Sequence, residues 1–91
     1  MRYRSLPAFE RSLRKLDSPR KARVKSAIEQ LVAFFETGHL PAGLGLKRLH
    51  QDLWEVRAGL SDRVILRRAG DLIEFIIVGT HDEIRRFLKR V

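Results

Sequence analysis

The register of one stretch, Leu53 to His81 (LWEVRAGLSDRVILRRAGDLIEFIIVGTH), constrains this chain more than any other feature. It reads as three consecutive antiparallel strands joined by two tight turns. Gly70-Asp71, with glycine first, carries the signature of a two-residue type II′ loop. That loop sets Arg68 opposite Ile73, Arg67 opposite Glu74 and Leu66 opposite Phe75. Gly59-Leu60-Ser61 fits a three-residue loop, which sets Arg57 opposite Arg63 and Val56 opposite Val64. Trp54, Val56, Val64, Leu66, Ile73, Phe75 and Ile77 then share one face by period-two alternation. A slip of one residue would put arginines where the aliphatics belong, so the parity is fixed.

The opposite face carries Glu55, Arg57, Arg63, Arg67 and Glu74, with Ile65, Ile76 and Val78 between them. Arg57 and Arg63 fall directly across from one another, where like charges repel. Either they point past each other into water, or they share an anion. His81, just past the last strand, inclines the reading to the shared anion.

The flanking segments supply the rest of the fold. Arg2 to Leu6 reads as a short strand, and Pro7 suits the first position of a helix carrying Phe9, Leu13 and Leu16. Asp17-Ser18-Pro19 breaks that helix and starts a second, with Ser18 as expected N-cap. Val24, Ile28, Leu31 and Phe35 form the second helix's stripe, with Ala27 and Val32 beside it, and Gly38 ends it. A Pro- and Gly-rich loop, His39 to Gly45, leads to a short strand at Leu46 to Leu49. A three-residue turn, His50-Gln51-Asp52, would then put Lys47 opposite Glu55 and Arg48 on the side of Trp54. Thr80-His81-Asp82-Glu83 has capping-box spacing and opens a last helix running to Val91, with Ile84, Phe87, Leu88 and Val91 as its stripe. The expected order is β-α-α-β-β-β-β-α, a single α+β domain over residues 1–91. Its helices should lie on one face of a mainly antiparallel sheet.

Composition narrows the function classes. The chain has 91 residues, no cysteine and a formal net charge of +8. Disulfide and thiolate chemistry are excluded, and a polyanionic partner is favoured: nucleic acid, ribosome or an acidic protein. The longest apolar run, Leu31 to Phe35, is too short for a membrane span, and MRYRSLPAFER has no signal-peptide core. A cytoplasmic location and no membrane partner are expected. The basic residues of the first two helices (Arg11, Arg14, Arg20, Lys21, Arg23, Lys25) read first as a solvated face. His39 and His50 lie in loop segments and receive no role. No His, Asp and Glu spacing suggests a metal site, and no cofactor motif is present.

The stretches LGLKRLHQDLWEVRAGLSDRVIL and VGTHDE, within this element order, resemble the RelE/ParE superfamily of bacterial toxins from type II toxin–antitoxin modules. The likeness is specific from Leu44 to Glu83. It implies a RelE-like fold and a cognate antitoxin as partner. The RelE branch implies a ribosome-dependent endoribonuclease that cuts mRNA by attack of a 2′-hydroxyl and leaves a cyclic phosphate. The ParE branch implies instead a non-enzymatic inhibitor of DNA gyrase, and a degenerate member would only bind its antitoxin. Arg63 matches the arginine of the family's R-[VL]-[IV] strand, Arg57 a basic residue following the aromatic, and His81 the position after the V-G strand end. Glu55 stands where RelE has a lysine, and Phe87 where it has a tyrosine.

Cleavage by a 2′-hydroxyl needs a base, an acid and a cation for the extra phosphate charge. Arg57 and Arg63 suit the cationic role, and His81 suits proton transfer. Glu55 is either a base or a neutraliser of Lys47. Lys47 and Arg48, with the two arginines, complete the expected RNA-phosphate set. Trp54 is expected in the core rather than as a base-stacking platform.

Overall fold

The computed structural model describes residues 1–90 and follows the expected element order. Strand β1 (Arg2–Ser5) leads into helices α1 (Pro7–Arg14) and α2 (Ser18–Thr37). Four further strands follow: β2 (Leu46–His50), β3 (Leu53–Ala58), β4 (Asp62–Ala69) and β5 (Leu72–Thr80). Helix α3 (His81–Leu88) closes the described chain, and the expected contribution of Val91 lies outside the described residues. The sheet order is β1-β5-β4-β3-β2, antiparallel throughout except where β1 runs parallel to β5. This is the α+β, mainly antiparallel arrangement read from the sequence. No helix among the described residues is long and apolar enough to cross a membrane.

The turn chemistry fixed most of the register. Gly70 has a φ of 62° and Ala69 pairs with Leu72, so Gly70-Asp71 is the two-residue turn. Gly59-Leu60-Ser61 links Ala58 to its partner Asp62, and Arg57 lies opposite Arg63. Lys47 pairs with Glu55 as expected, by a different count. Strand β2 extends to His50, Leu49 is an extra residue in it, and the turn is only Gln51-Asp52. One bulge residue and a two-residue turn use the same chain length as a three-residue turn.

One bulge changes the parity. Ile65 pairs with Ile77 and Leu66 with Phe75, leaving Ile76 as the extra residue in β5. Beyond it the faces exchange. Val78, not Ile77, joins the core beneath α1 and α2, with Phe9, Val24, Leu31, Val56, Val64 and Leu66. Trp54 packs on that core, half-buried. Ile77 turns to the second face. There Ile65 and Ile76 are buried against Ile84, with Phe87 and Leu88 beside them. The helices therefore do not all lie on one face: α3 covers the face opposite the α1–α2 pair. Phe87 is part of that packing.

Polar contacts tie the elements together. Asp17, not Ser18, caps α2, and its carboxylate accepts from the Arg20 N–H at 3.0 Å. Arg20 is not a solvated arginine. Its Nε and Nη2 donate to the two oxygens of Asp62 at 2.9 and 2.6 Å, and Asp62 is fully buried at the start of β4. The Asp62 hydrogen bond raises the Arg20 pKa above its ordinary value. Glu74, buried in β5, is held mainly by Arg4, whose Nε donates at 2.7 Å. Arg67, opposite Glu74 on β4, stands 3.8 Å away and is also 3.9 Å from Asp52, so its contact with Glu74 is long, shared and secondary to that of Arg4.

Tyr3 anchors β1 to α2 through its hydroxyl, which donates to Glu36 at 2.7 Å. Burial, then the bond to Glu36, pushes the phenol up to about 12. The folded state thus favours the neutral phenol. Its contribution to stability is complete below the unfolded value, about 10, and is lost as pH rises through about 12. The chain has one tyrosine, so tyrosinate absorbance reads this group alone. The native midpoint is expected near 12, falling part of the way back in Glu36→Gln. A native midpoint at the ordinary value would contradict the contact.

Candidate functional site

The polar end of the second face, beyond the cover of α3, forms an open cleft of about 460 Å³. Gly45, Leu46, Lys47, Glu55, Arg57, Arg63 and His81 line it. Register explains the gathering. Lys47 lies opposite Glu55, and Arg57 opposite Arg63, on adjacent strands. Arg63 pairs across β5 with Gly79, not with Val78 as the unbulged count gives, so it lies two residues from His81 rather than three. Five residues singled out in the sequence thus share one concavity. The sixth does not: Arg48 sits on the α1–α2 side, its guanidinium 5.9 Å from the Trp54 ring centroid, with Nε donating to the Gln51 carbonyl.

His81 is placed by the start of α3. The Thr80 hydroxyl accepts from the Glu83 N–H at 3.3 Å, and the Glu83 carboxylate accepts from the Thr80 N–H at 2.8 Å. Both halves of the capping box are present, and the bond from Thr80 holds the Glu83 carboxyl below the usual carboxylate range. Gly79 leaves room for the close approach of α3. A Cβ there would stand 3.1 Å from both Cβ and Oε1 of Glu83, so any side chain would require the Glu83 side chain to give by a few tenths of an ångström. The imidazole is exposed and makes no hydrogen bond among the described residues.

The two arginines are not equivalent. Arg63 was expected to be exposed, but its side chain retains only 16% of its accessibility. Its Nε lies 3.2 Å from Glu55, itself 16% accessible, and its Nη1 donates to the Asp62 carbonyl at 3.2 Å. It is a fixed cation with its position set by the sheet. Arg57 is exposed and has no carboxylate partner among the described residues. Its stem runs along Gly45, where a Cβ would come within 3.2 Å of it. Glu55 neutralises Arg63 more directly than Lys47. With His81 neutral, Lys47, Arg57, Arg63 and Glu55 leave the cleft with an excess of two positive charges. An anion entering such a site would meet two uncompensated cationic charges, a carboxylate and an imidazole, the groups that phosphodiester chemistry calls for. Among the described residues no three His, Asp or Glu side chains group as metal ligands.

No protein-family model matches this sequence, and no curated protein matches it either. Solved structures do match. A chain of the RelB–RelE antitoxin–toxin complex from Methanococcus jannaschii aligns over 91% of this chain and 95% of its own, with a TM-score of 0.71 at 20% identity. A chain of the Escherichia coli DinJ–YafQ complex aligns over 92% and 98%, with a TM-score of 0.72 at 18% identity. The YoeB/ParE toxin from Agrobacterium tumefaciens aligns over 89% and 99%, with a TM-score of 0.64 at 19% identity. The fold is therefore that of the RelE-like toxins, along nearly the whole chain.

Proposed function

We propose that this chain is the toxin of a type II toxin–antitoxin pair and cleaves mRNA on the ribosome. The observation that carries the reading is the single cleft in which Lys47, Glu55, Arg57, Arg63 and His81 converge. The fold it shares with chains from RelB–RelE and DinJ–YafQ complexes supports it. Arg57 and Lys47 draw the phosphodiester in, and Arg63 stabilises the charge that builds on phosphorus oxygens. The 2′-hydroxyl attacks the adjacent phosphorus and gives its proton to the Glu55 carboxylate. The bond to the 5′-oxygen breaks, and the imidazolium of His81 protonates that oxygen as it leaves. The products are a 2′,3′-cyclic phosphate and a free 5′-hydroxyl. No lysine at position 55 is needed, because Glu55 takes the base role and Arg63 remains as the adjacent cation.

The partner that silences such a toxin must cover a basic cleft, so an antitoxin with an acidic segment fits. It has no need to cover Ile65 and Ile76, since α3 already buries both. The test is wild-type protein with ribosomes programmed with a defined message, in the cytoplasmic salt range, with 5′ ends mapped. Cuts in register with codons, ending in cyclic phosphate, are expected, and the acidic antitoxin should suppress them. An intact message together with inhibited gyrase supercoiling would overturn the proposal in favour of a ParE-type activity.

A further inference from the structure

A second concavity of about 210 Å³ adjoins the cleft, between α2 and the β3–β4 turn. Its polar side chains are Arg23, Ser26, Gln30 and Arg57, and no acidic residue lines it. Arg57 lines both concavities. Arg23 lies across the turn: a Cβ on Gly59 would stand 2.7 Å from its Cδ and 2.8 Å from its Nε. Gly59 (φ 80°) and Gly45 (φ 69°) thus form bare backbone beds for the two arginine stems. Neither Arg23 nor Arg57 meets a carboxylate within ion-pair distance among the described residues, though other arginines, including Arg20 and Arg63, do. Gln30 Nε2 donates to Ser26 Oγ at 3.2 Å. That bond uses the acceptor side of the hydroxyl and leaves its proton, with the second amide N–H, free to donate into the hollow.

We infer that this hollow is a second phosphate subsite. It takes a backbone phosphate of the RNA strand whose scissile phosphodiester lies in the main cleft. Two like-charged heads, a hydroxyl and an amide around a space without acids describe a receptor for a compact oxyanion. The shared Arg57 makes the two sites neighbours on one path, so adjoining phosphates of one strand can fill both. The assignment of the strand rests on the proposed cleavage; the assignment of an oxyanion does not.

Inorganic phosphate titrated into the isotope-labelled wild-type chain separates the two. Amide shifts are expected in two groups, Ser26, Gln30, Gly43 and Gly59 for the hollow and Gly45, Lys47 and Gly79 for the cleft. In Arg23→Gln the first group should fall silent while the second persists. Gln30→Glu, which adds a negative charge without touching Arg23, should do the same if the fold is intact. Shifts confined to the cleft in the wild type would overturn the subsite, whether or not the protein cleaves RNA. The strand is tested by single-turnover cleavage on programmed ribosomes, with one message phosphate at a time replaced by an uncharged methylphosphonate. One position flanking the cut should weaken the wild type roughly tenfold, about one charge-assisted hydrogen bond. Arg23→Gln should be indifferent to that same position. If Arg23→Gln instead weakened ribosome binding equally for every message, the phosphate would belong to ribosomal RNA and the strand assignment would fall.

Discussion

His81→Ala is expected to slow message cleavage by roughly 10²–10⁴-fold, the usual worth of a positioned proton donor. The imidazole is exposed and lies in no packing cluster, so the folded chain should keep its denaturation midpoint. Ribosome binding should also survive, because one imidazole adds little to an association dominated by basic residues. The sharper reading is the pH profile of single-turnover rates. With His81 as the acid, the wild-type rate falls at high pH as the imidazolium loses its proton, and His81→Ala should lack that limb. With Glu55 as the base, the low-pH limb belongs to the carboxylate, and Glu55→Gln should lack it instead. The two limbs respond to different substitutions only if the roles are divided as proposed. A wild-type rate in His81→Ala would remove the histidine from the chemistry. Loss of the low-pH limb in His81→Ala, with the high-pH limb kept, would exchange the two roles.

The sheet was legible because turn residues and alternation agree. Gly70-Asp71 and Gly59-Leu60-Ser61 each permit one pairing that keeps Arg57, Arg63 and Arg67 off the α1–α2 core, and the observed pairs follow. The cleft was legible for the same reason, since Lys47, Glu55, Arg57 and Arg63 are placed by register alone. The bulge at Ile76 was not. Phe75-Ile76-Ile77-Val78 is apolar throughout, so alternation carries no information there. The placement of α3 was lost with it. With parity unbroken, Ile65 and Ile76 read as exposed apolar positions, whereas both lie under Ile84. Gly79 held the missing signal: a glycine directly before a capping box marks a close approach of helix to strand.

Long-range ion pairs were the other blind spot. Asp62 follows a turn and looks like a solvated turn residue. Its partner lies 42 positions earlier, in a run of basic residues that resembles any solvated helical face. Nothing local distinguishes Arg20 from Arg11 or Arg14. Glu74 was assigned to Arg67 because cross-strand neighbours are visible in sequence. The parallel neighbour β1, which brings Arg4, is joined to β5 only through the whole length of the chain.

Arg20→Ala is expected to be the most destabilising single change to the polar framework. Asp62 has no accessible side-chain surface, and the arginine meets both of its oxygens. Removing the cation leaves a buried carboxylate with no compensating charge, a situation that costs about 3–5 kcal/mol. Arg20 keeps 28% of its side-chain exposure, so water already screens part of the pair and the lower end applies. That is a large share of the roughly 5–15 kcal/mol that holds a domain together. The site should feel it as well. Asp62 pairs with Thr80, the cap of α3, and its carbonyl accepts from Arg63. Loosening the start of β4 therefore shifts Arg63 and His81 together. Denaturant unfolding measures the first effect as a lower midpoint at unchanged slope. A paired change decides its cause. Arg20→Met with Asp62→Leu removes both charges and keeps apolar volume, and should recover most of the lost stability. If Arg20→Ala unfolded within about 1 kcal/mol of the wild type, the pair would be a surface contact. If the paired change were no better than the single one, the loss would come from the arginine's packing and not from a stranded charge.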